Sequence, residues 1–309
     1  MDKNQTTVTE FFLLGFQIWS PFHMLLFIFF LLIYMITLTG DFLIVILVTI
    51  SHRLQYPMFY FLKHLSVSEV LFTSNLTPNM LYVISRSGGF ISYTGCITQF
   101  YLYIASGSLE SLLLTIMSYD RYLAICYPLR YANMMNLQFC QTLVLASWLL
   151  SFTLVLITVV LLCQLNFCSS NIIDHFFCDF APLVDLSCSE TSVIRMEVVF
   201  LSIPIVASTF SFILWSYICI SITILNIPST TGRRKVFSTC SSHLASVGSY
   251  YGPLIVIYMV PYRRDSLNVN KFLSVLYTVF TPFFNPLIYS FRNEELQRVL
   301  RRLLNLERT

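Results

Sequence analysis

The feature that most constrains this chain is charge that is missing. Pro21 to Gly40, Ser87 to Leu109, Tyr131 to Ile173, Val198 to Gly232, Val236 to Tyr262 and Phe272 to Phe291 contain no Asp, Glu, Lys or Arg. Each run reaches the roughly 20 residues that a helix needs to cross the hydrocarbon of a bilayer. A soluble fold carries about 25% charged residues, whereas this chain has 11% charged and 56% apolar. Inside a bilayer the backbone must satisfy its own hydrogen bonds, which leaves helices or closed barrels. Barrel strands are short and alternate in polarity; these runs are long and continuous, so the expected fold is an all-α membrane bundle.

A further crossing, Pro57 to about Ile84, is interrupted by Lys63 and Glu69, but Leu62, Leu65, Val67, Val70, Leu71 and Phe72 keep it apolar. The sequence therefore predicts seven transmembrane helices, at about 23–50, 57–84, 94–126, 139–162, 196–226, 235–260 and 271–291. They form a domain over 23–291, preceded by an extracellular tail at 1–22 and followed by a cytoplasmic tail at 292–309.

Positive charge is retained in the cytoplasm, which sets the orientation. With the amino terminus outside, the inner side collects Arg53, Lys63, Arg121, Arg130, Arg233, Arg234, Lys235, Arg292, Arg298, Arg301, Arg302 and Arg308. The outer side has only Lys3, Arg86, Arg195, Arg263, Arg264 and Lys271. The net charge of +3 thus reports topology, and no basic patch interleaved with aromatics points to nucleic acid. Asp2 and Glu10, with an apolar run too long for a signal core, argue against a cleavable signal peptide. Asn4-Gln5-Thr6 fits a glycosylation acceptor on the outer tail; Asn75-Leu76-Thr77 has the same pattern at membrane depth, where the modifying enzyme cannot reach.

Of nine cysteines, Cys96, Cys168, Cys178 and Cys188 fall outside, where disulfides persist. Their even number favours two bridges, with three pairings open. Cys126, Cys140, Cys163, Cys219 and Cys240 are expected to be reduced packing residues. The connection from about Cys163 to Arg195 is long, and its acids Asp174, Asp179, Asp185 and Glu190 either select cationic ligands or form a solvated face. Catalysis is not expected: the chain has no His-Glu-x-x-His, phosphate-binding glycine loop or nucleophile elbow.

Three acids fall within the crossings, Asp41, Glu69 and Glu110. An isolated carboxylate there is protonated or paired. Arg121, beside Asp120 at the inner end of the third helix, carries a permanent charge next to hydrocarbon, which is costly unless paired and functional. Glu110 precedes it by about three helical turns, so both face into the bundle. Pro286 removes a backbone hydrogen bond from the seventh helix. Asn293 to Leu304 places Leu296, Val299, Leu300, Leu303 and Leu304 at helical spacing with Arg298, Arg301 and Arg302 between them, a short amphipathic helix on the inner leaflet.

Several segments carry a resemblance to a known family. They are Thr9-Glu10-Phe11 with Leu13-Leu14-Gly15-Phe16, Pro57 to Leu62, Glu110 to Leu114 running into Met117 to Tyr131, His175 to Asp179, Phe237 to Leu244, and Pro282 to Asn293. Together they resemble rhodopsin-like G-protein-coupled receptors, and within them the olfactory (odorant) receptors, over nearly the whole chain.

That resemblance implies Cys96–Cys178 and Cys168–Cys188 disulfides. It implies a switch at Asp120, Arg121, Tyr122, His243, Asn285, Pro286 and Tyr289, in which Asp120 holds Arg121 at rest and releases it to a G protein. It also implies a sodium pocket at Glu69, Glu110 and Asn285. Asp41 stands where the family has Asn, and Glu69 where Asp is commoner, so the cluster is expected to hold either a cation or shared protons. No cofactor beyond such a sodium is expected. A small, mostly hydrophobic, volatile odorant would lie among Tyr103, Ile104, Gly107, Ser108, Leu201, Ser202, Ile205, Tyr251, Leu254, Ile255, Tyr258 and Thr278. The implied partners are a heterotrimeric stimulatory olfactory-type G protein, raising cyclic AMP, and membrane lipids, with Arg233, Arg234 and Lys235 near either. The implied location is the plasma membrane. The rivals are a receptor of this family acting on a metabolite outside the nose, and a small transporter, which would need an internal repeat.

Overall fold

The apolar runs fold as helices whose ends are set by ordinary capping chemistry. The structure, a computed structural model, describes residues 8–16, 22–168, 171–259 and 267–303. The first three crossings are α1 (His23–Ile50), α2 (Pro57–Arg86) and α3 (Tyr93–Cys126). A short α4 (Pro128–Met134) leads into the fourth crossing, α5 (Leu137–Cys163). Pro57 and Pro128 open their helices, where a missing N–H costs nothing. Ser92 accepts from the Gly95 amide at 3.1 Å to start α3, and Asn136 from that of Phe139 at 2.9 Å to start α5, the usual N-cap bonds. α2 ends at Ser87, with φ 56°, followed by Gly88 at φ 130°, a reversal that glycine adopts without strain.

The outer loop after α5 holds the short helix α6 (Phe180–Asp185). The fifth crossing is α7 (Ser192–Glu197) and α8 (Ile203–Leu225), joined by a π-helical turn at Val198–Ser202. The sixth is α9 (Thr230–Met259). The seventh is α10 (Leu267–Val275) and α11 (Thr281–Arg292), joined by a π turn at Leu276–Phe280. Both π turns lie just before a proline, Pro204 and Pro282. Proline cannot donate into the helical ladder, and π turns of this kind often mark functional sites. α12 (Glu294–Leu303) follows, with Leu296 and Val299 buried against the bundle.

Five of the crossings are long and apolar enough to span a membrane by those measures alone. The other two, α2 and α9, are the polar ones, and their place comes from packing: α2 lies against α1 and α3, and α9 against α11 and α3. Ile28, Phe29, Leu32, Leu149, Leu156, Trp215 and Ile222 are exposed on the outside of the bundle, as a lipid-facing surface requires.

The outer end carries a small sheet that hydropathy did not anticipate. β1 (Glu10–Leu13) is its central strand, antiparallel to β2 (Gly89–Ser92) and parallel to β3 (Ile172–Ile173). Residues 8–16 of the amino-terminal tail are thus a structural part of the cap, with Phe11 and Leu13 fully buried. Asn4, Lys3, Arg263 and Arg264 lie outside the described residues, as do the side chains of Tyr258, Arg234, Lys235 and Arg292.

Candidate ligand and signalling site

Aromatic side chains from four crossings and the outer loop meet above the middle of the bundle. The Tyr103 ring lies 5.0 Å from Phe177, 5.7 Å from Phe72 and 6.2 Å from Tyr277. Tyr277, on the π turn of the seventh crossing, also packs on Tyr250 at 5.6 Å. Gly107 makes the approach of α3 feasible, because a Cβ there would meet the Tyr277 hydroxyl at 2.6 Å. The Tyr250 hydroxyl donates to the Gly107 carbonyl at 2.7 Å, and that of Tyr251 to Thr209 at 3.0 Å. Two adjacent tyrosines of α9 therefore reach α3 and α8, respectively.

Of the expected ligand residues, Tyr103, Gly107 and Tyr251 belong to this cluster. Thr278 is buried on the π turn and donates to the Ser274 carbonyl. Leu201 and Ser202 sit on the other π turn. Ile205, Ser108 and Leu254 are half-buried. Ile104 packs in the outer cluster around the Cys96–Cys178 bridge, and Ile255 is 37% exposed on α9. The expected set missed Phe72, Phe177, Tyr250 and Tyr277. No sequence signal separates them from the many aromatics that face lipid, since the chain has 28 Phe and 18 Tyr. Two cavities, of about 450 Å³ between α2 and α3 near the outer rim and about 390 Å³ at the inner rim, are lined by other residues.

Below the aromatics, the Asn285 side-chain N–H₂ donates to Glu69 and, at 3.1 Å, to Glu110. Asp41 is fully buried and lies beside Glu69 and Ser66. Its two oxygens are without a donor when both acids are ionised. The Asn285 N–H₂ group faces both acids, while its Oδ1 is buried without a partner. Among the described residues no three His, Cys, Asp or Glu groups gather to hold an ion. Glu69, Glu110 and the Asn285 amide oxygen are the groups that would hold a sodium if one bound.

At the inner end, the expected Asp120–Arg121 clamp is not formed. The carboxylate of Asp120 accepts from the Tyr131 hydroxyl at 2.8 Å, so α4 supplies its partner. Arg121 lies within electrostatic reach of Asp120 as well as of Tyr217, Cys240, His243 and Tyr289, and one terminal nitrogen is buried without a partner. His243 bridges three helices: its Nε2 is 3.0 Å from the Leu114 carbonyl and its Nδ1 is 2.7 Å from the Tyr217 hydroxyl. A carbonyl only accepts, so Nε2 carries the proton and Nδ1 receives the tyrosine's. Tyr289 is buried beside Ser246, one helix turn past Asn285 and Pro286. Tyr122 packs on Tyr127 and Trp215 at the rim.

Over the outer end, Cys96 is bonded to Cys178 and Cys168 to Cys188. The Gln99 side chain accepts from the Cys178 amide at 3.0 Å, docking the loop on α3. The buried Lys271 ammonium donates to the Gly15 carbonyl at 3.0 Å and to Asp174 at 2.5 Å, tying tail, loop and seventh crossing together. Burial, with Lys271 adding to it, pushes His175 down to about 3. Burial also raises Asp179, whose oxygen accepts from the Phe180 amide at 2.8 Å. Asp185 pairs with Arg195 at 2.9 Å and Glu190 accepts from Ser192. Asp174 and Asp179 are thus engaged within the cap, while Asp185 and Glu190 stay exposed on a solvated face. Cys163 is exposed beside Tyr93, unlike the packing role expected of it.

A bundle of this architecture, with its outer lid and its arginine at the inner rim, defines a seven-helix receptor of the rhodopsin type. Squid rhodopsin superposes with a TM-score of 0.76 over 94% of this chain and 87% of that one, at 15% identity. A family profile described as olfactory receptor matches residues 30–307, and the chain belongs to that family. It is 43% identical to olfactory receptor 11L1 of Homo sapiens, covering 98% of this chain and 94% of that one. To olfactory receptor 1500 of Rattus norvegicus it is 42% identical, covering 98% and 97%. To olfactory receptor 2A7 of Mus musculus it is 42% identical, covering 100% and 99%. The protein is a multi-pass plasma-membrane receptor, not an enzyme.

Proposed function

We propose that the protein binds a small, mostly hydrophobic odorant in the outer half of the bundle and activates a stimulatory olfactory-type G protein, raising cyclic AMP. The observation that carries this reading is how α9 is fastened. Tyr250 holds it to Gly107 and Tyr251 to Thr209 at ligand depth, while His243 holds it to Leu114 and Tyr217 further in. A guest lodged among Tyr103, Tyr250 and Tyr277 competes with the upper ties and biases α9 outward. The buried, partnerless Arg121 nitrogen then meets a G-protein carbonyl. The apolar lining suits a ligand held largely by burial, with one polar group that takes over a tyrosine hydroxyl from its present partner.

The acid layer works in this scheme as a proton store. A proton shared between Asp41 and Glu69 gives both a hydrogen bond that two carboxylates cannot make, and activation redistributes it.

A cyclic AMP reporter in cells expressing the receptor, screened against odorant mixtures, tests the coupling. A dose-dependent rise that Arg121→Ala abolishes is the expected outcome. Odorant binding with no rise in cyclic AMP, or a response through another class of G protein, defeats it.

A further inference from the structure

The inner rim holds a cavity that the signalling reading does not use. About 390 Å³ opens between the last turn of α1, the first turns of α2 and the start of α5, with Val48, Leu54, Pro57, Met135 and Leu137 as apolar walls. One cation, Lys63, lines it, with Thr49, Gln55, Tyr56 and Tyr60 as polar neighbours. Lys63 is half-buried and makes no hydrogen bond or ion pair among the described residues. No acid lines the cavity.

An unpaired ammonium at the edge of hydrocarbon is costly and signals a missing partner. Pro57, Tyr60 and Lys63 recur at a spacing of three residues and so share one face of α2. A helical side chain leans toward its own N-terminus, and α2 starts in the cytoplasm, so Lys63 leans toward the headgroups of the inner leaflet. The field there is positive throughout: Tyr56 gives α2 no side-chain cap, and Arg53 stands exposed in the preceding turn. A helix start favours an anion nearby. Tyr56 and Leu137, which line the cavity, are 65% and 66% exposed, a surface that faces acyl chains and not the inner face around Arg121.

We propose that this groove binds one anionic phospholipid of the inner leaflet, its phosphate on Lys63 and one acyl chain along Val48, Leu54, Met135 and Leu137. The site stands whatever odorant the outer half takes.

The test is native mass spectrometry of the full-length receptor released from nanodiscs of phosphatidylcholine with or without phosphatidylserine. One phosphatidylserine is expected to be retained in about fivefold preference to phosphatidylcholine, the strength of one lysine at an anionic surface. Lys63→Gln should erase the preference and Lys63→Arg keep it, with thermal stability in phosphatidylcholine alone reporting that each variant folds. Met135→Trp, which fills the groove and leaves the charge, should release the lipid. Equal retention of both lipids, an unchanged preference in Lys63→Gln, or full competition by soluble glycerophosphoserine each overturns the proposal. So does unaltered retention in Met135→Trp, which decides the matter should Lys63→Gln fail to fold.

Discussion

Asp41 concentrates the chemistry of single residues in this receptor, because it is fully buried and its oxygens lie against another acid. An ionised carboxylate at that depth costs several kcal/mol without a partner. A shared proton removes that cost, and so does an amide. Asp41→Asn is therefore expected to stabilise the bundle and to flatten the pH dependence of basal signalling, read as reporter output across a range of cytosolic pH. Glu110→Gln should alter that dependence as well; wild-type behaviour of Glu110→Gln toward both sodium and pH sinks the switch. Gly107 offers a second test at this scale. Its missing Cβ leaves room for the Tyr277 hydroxyl at 2.6 Å, so Gly107→Val should displace Tyr277 from its place in the aromatic cluster and cut odorant potency at least tenfold, with surface expression near normal. The three acids and Arg121 were legible in the sequence because charge is conspicuous among apolar residues. Tyr277 and Tyr250 were not, because an aromatic in an apolar helix looks the same whether it lines a pocket or faces lipid.

Elements owe their positions here to different kinds of information. The crossings could be read from uncharged length, but the cap could not: β1 is four residues long, and strand pairing is a long-range contact that no local pattern encodes. Its latch can be broken on its own. Lys271 is buried while Asp174 is 37% exposed, so solvent screens part of the pair, and Lys271→Met should loosen the cap by about 1–2 kcal/mol. Hydrogen exchange at the Phe12 and Leu14 amides, bonded to Asn171 and Ile173, is expected to speed up about tenfold. Acid should loosen the same element. His175 is held down to about 3 from an ordinary 6.5, so the docked cap excludes a proton that the opened cap takes up. Its stabilising effect is whole above pH 6.5 and is lost progressively as pH falls toward 3. Exchange at those amides should accelerate across that window, and His175→Phe should remove the part due to the imidazole. Acceleration of equal size in His175→Phe would place the titration elsewhere.

For the molecule as a whole, the number of crossings followed from uncharged length, even though α2 and α9 are too polar to qualify on composition alone. Which signalling state the chain adopts did not follow, since the Asp120-Arg121-Tyr122 segment reads identically whether Arg121 is ion-paired to Asp120 or, as here, leaves a terminal nitrogen buried without a partner. Two such states differ by only a few kcal/mol, and the difference is spread over the ties of α9 to α3 and α8. That arrangement has a thermodynamic consequence. An odorant shifts the equilibrium only by its differential affinity for the two states, and binding free energies are reciprocal. Whatever factor the odorant adds to G-protein affinity, the G protein must add to odorant affinity, typically 5–150-fold. Odorant affinity of the purified receptor, measured with and without nucleotide-free G protein, is expected to differ by at least fivefold. Arg121→Ala should bring that ratio to about one while leaving the affinity without G protein unchanged, because Arg121 lies about three helical turns inward of Glu110 and touches none of the aromatic cluster. Affinity that ignores the G protein in the unaltered receptor would mean that the outer guest and the inner arginine do not share a two-state bundle.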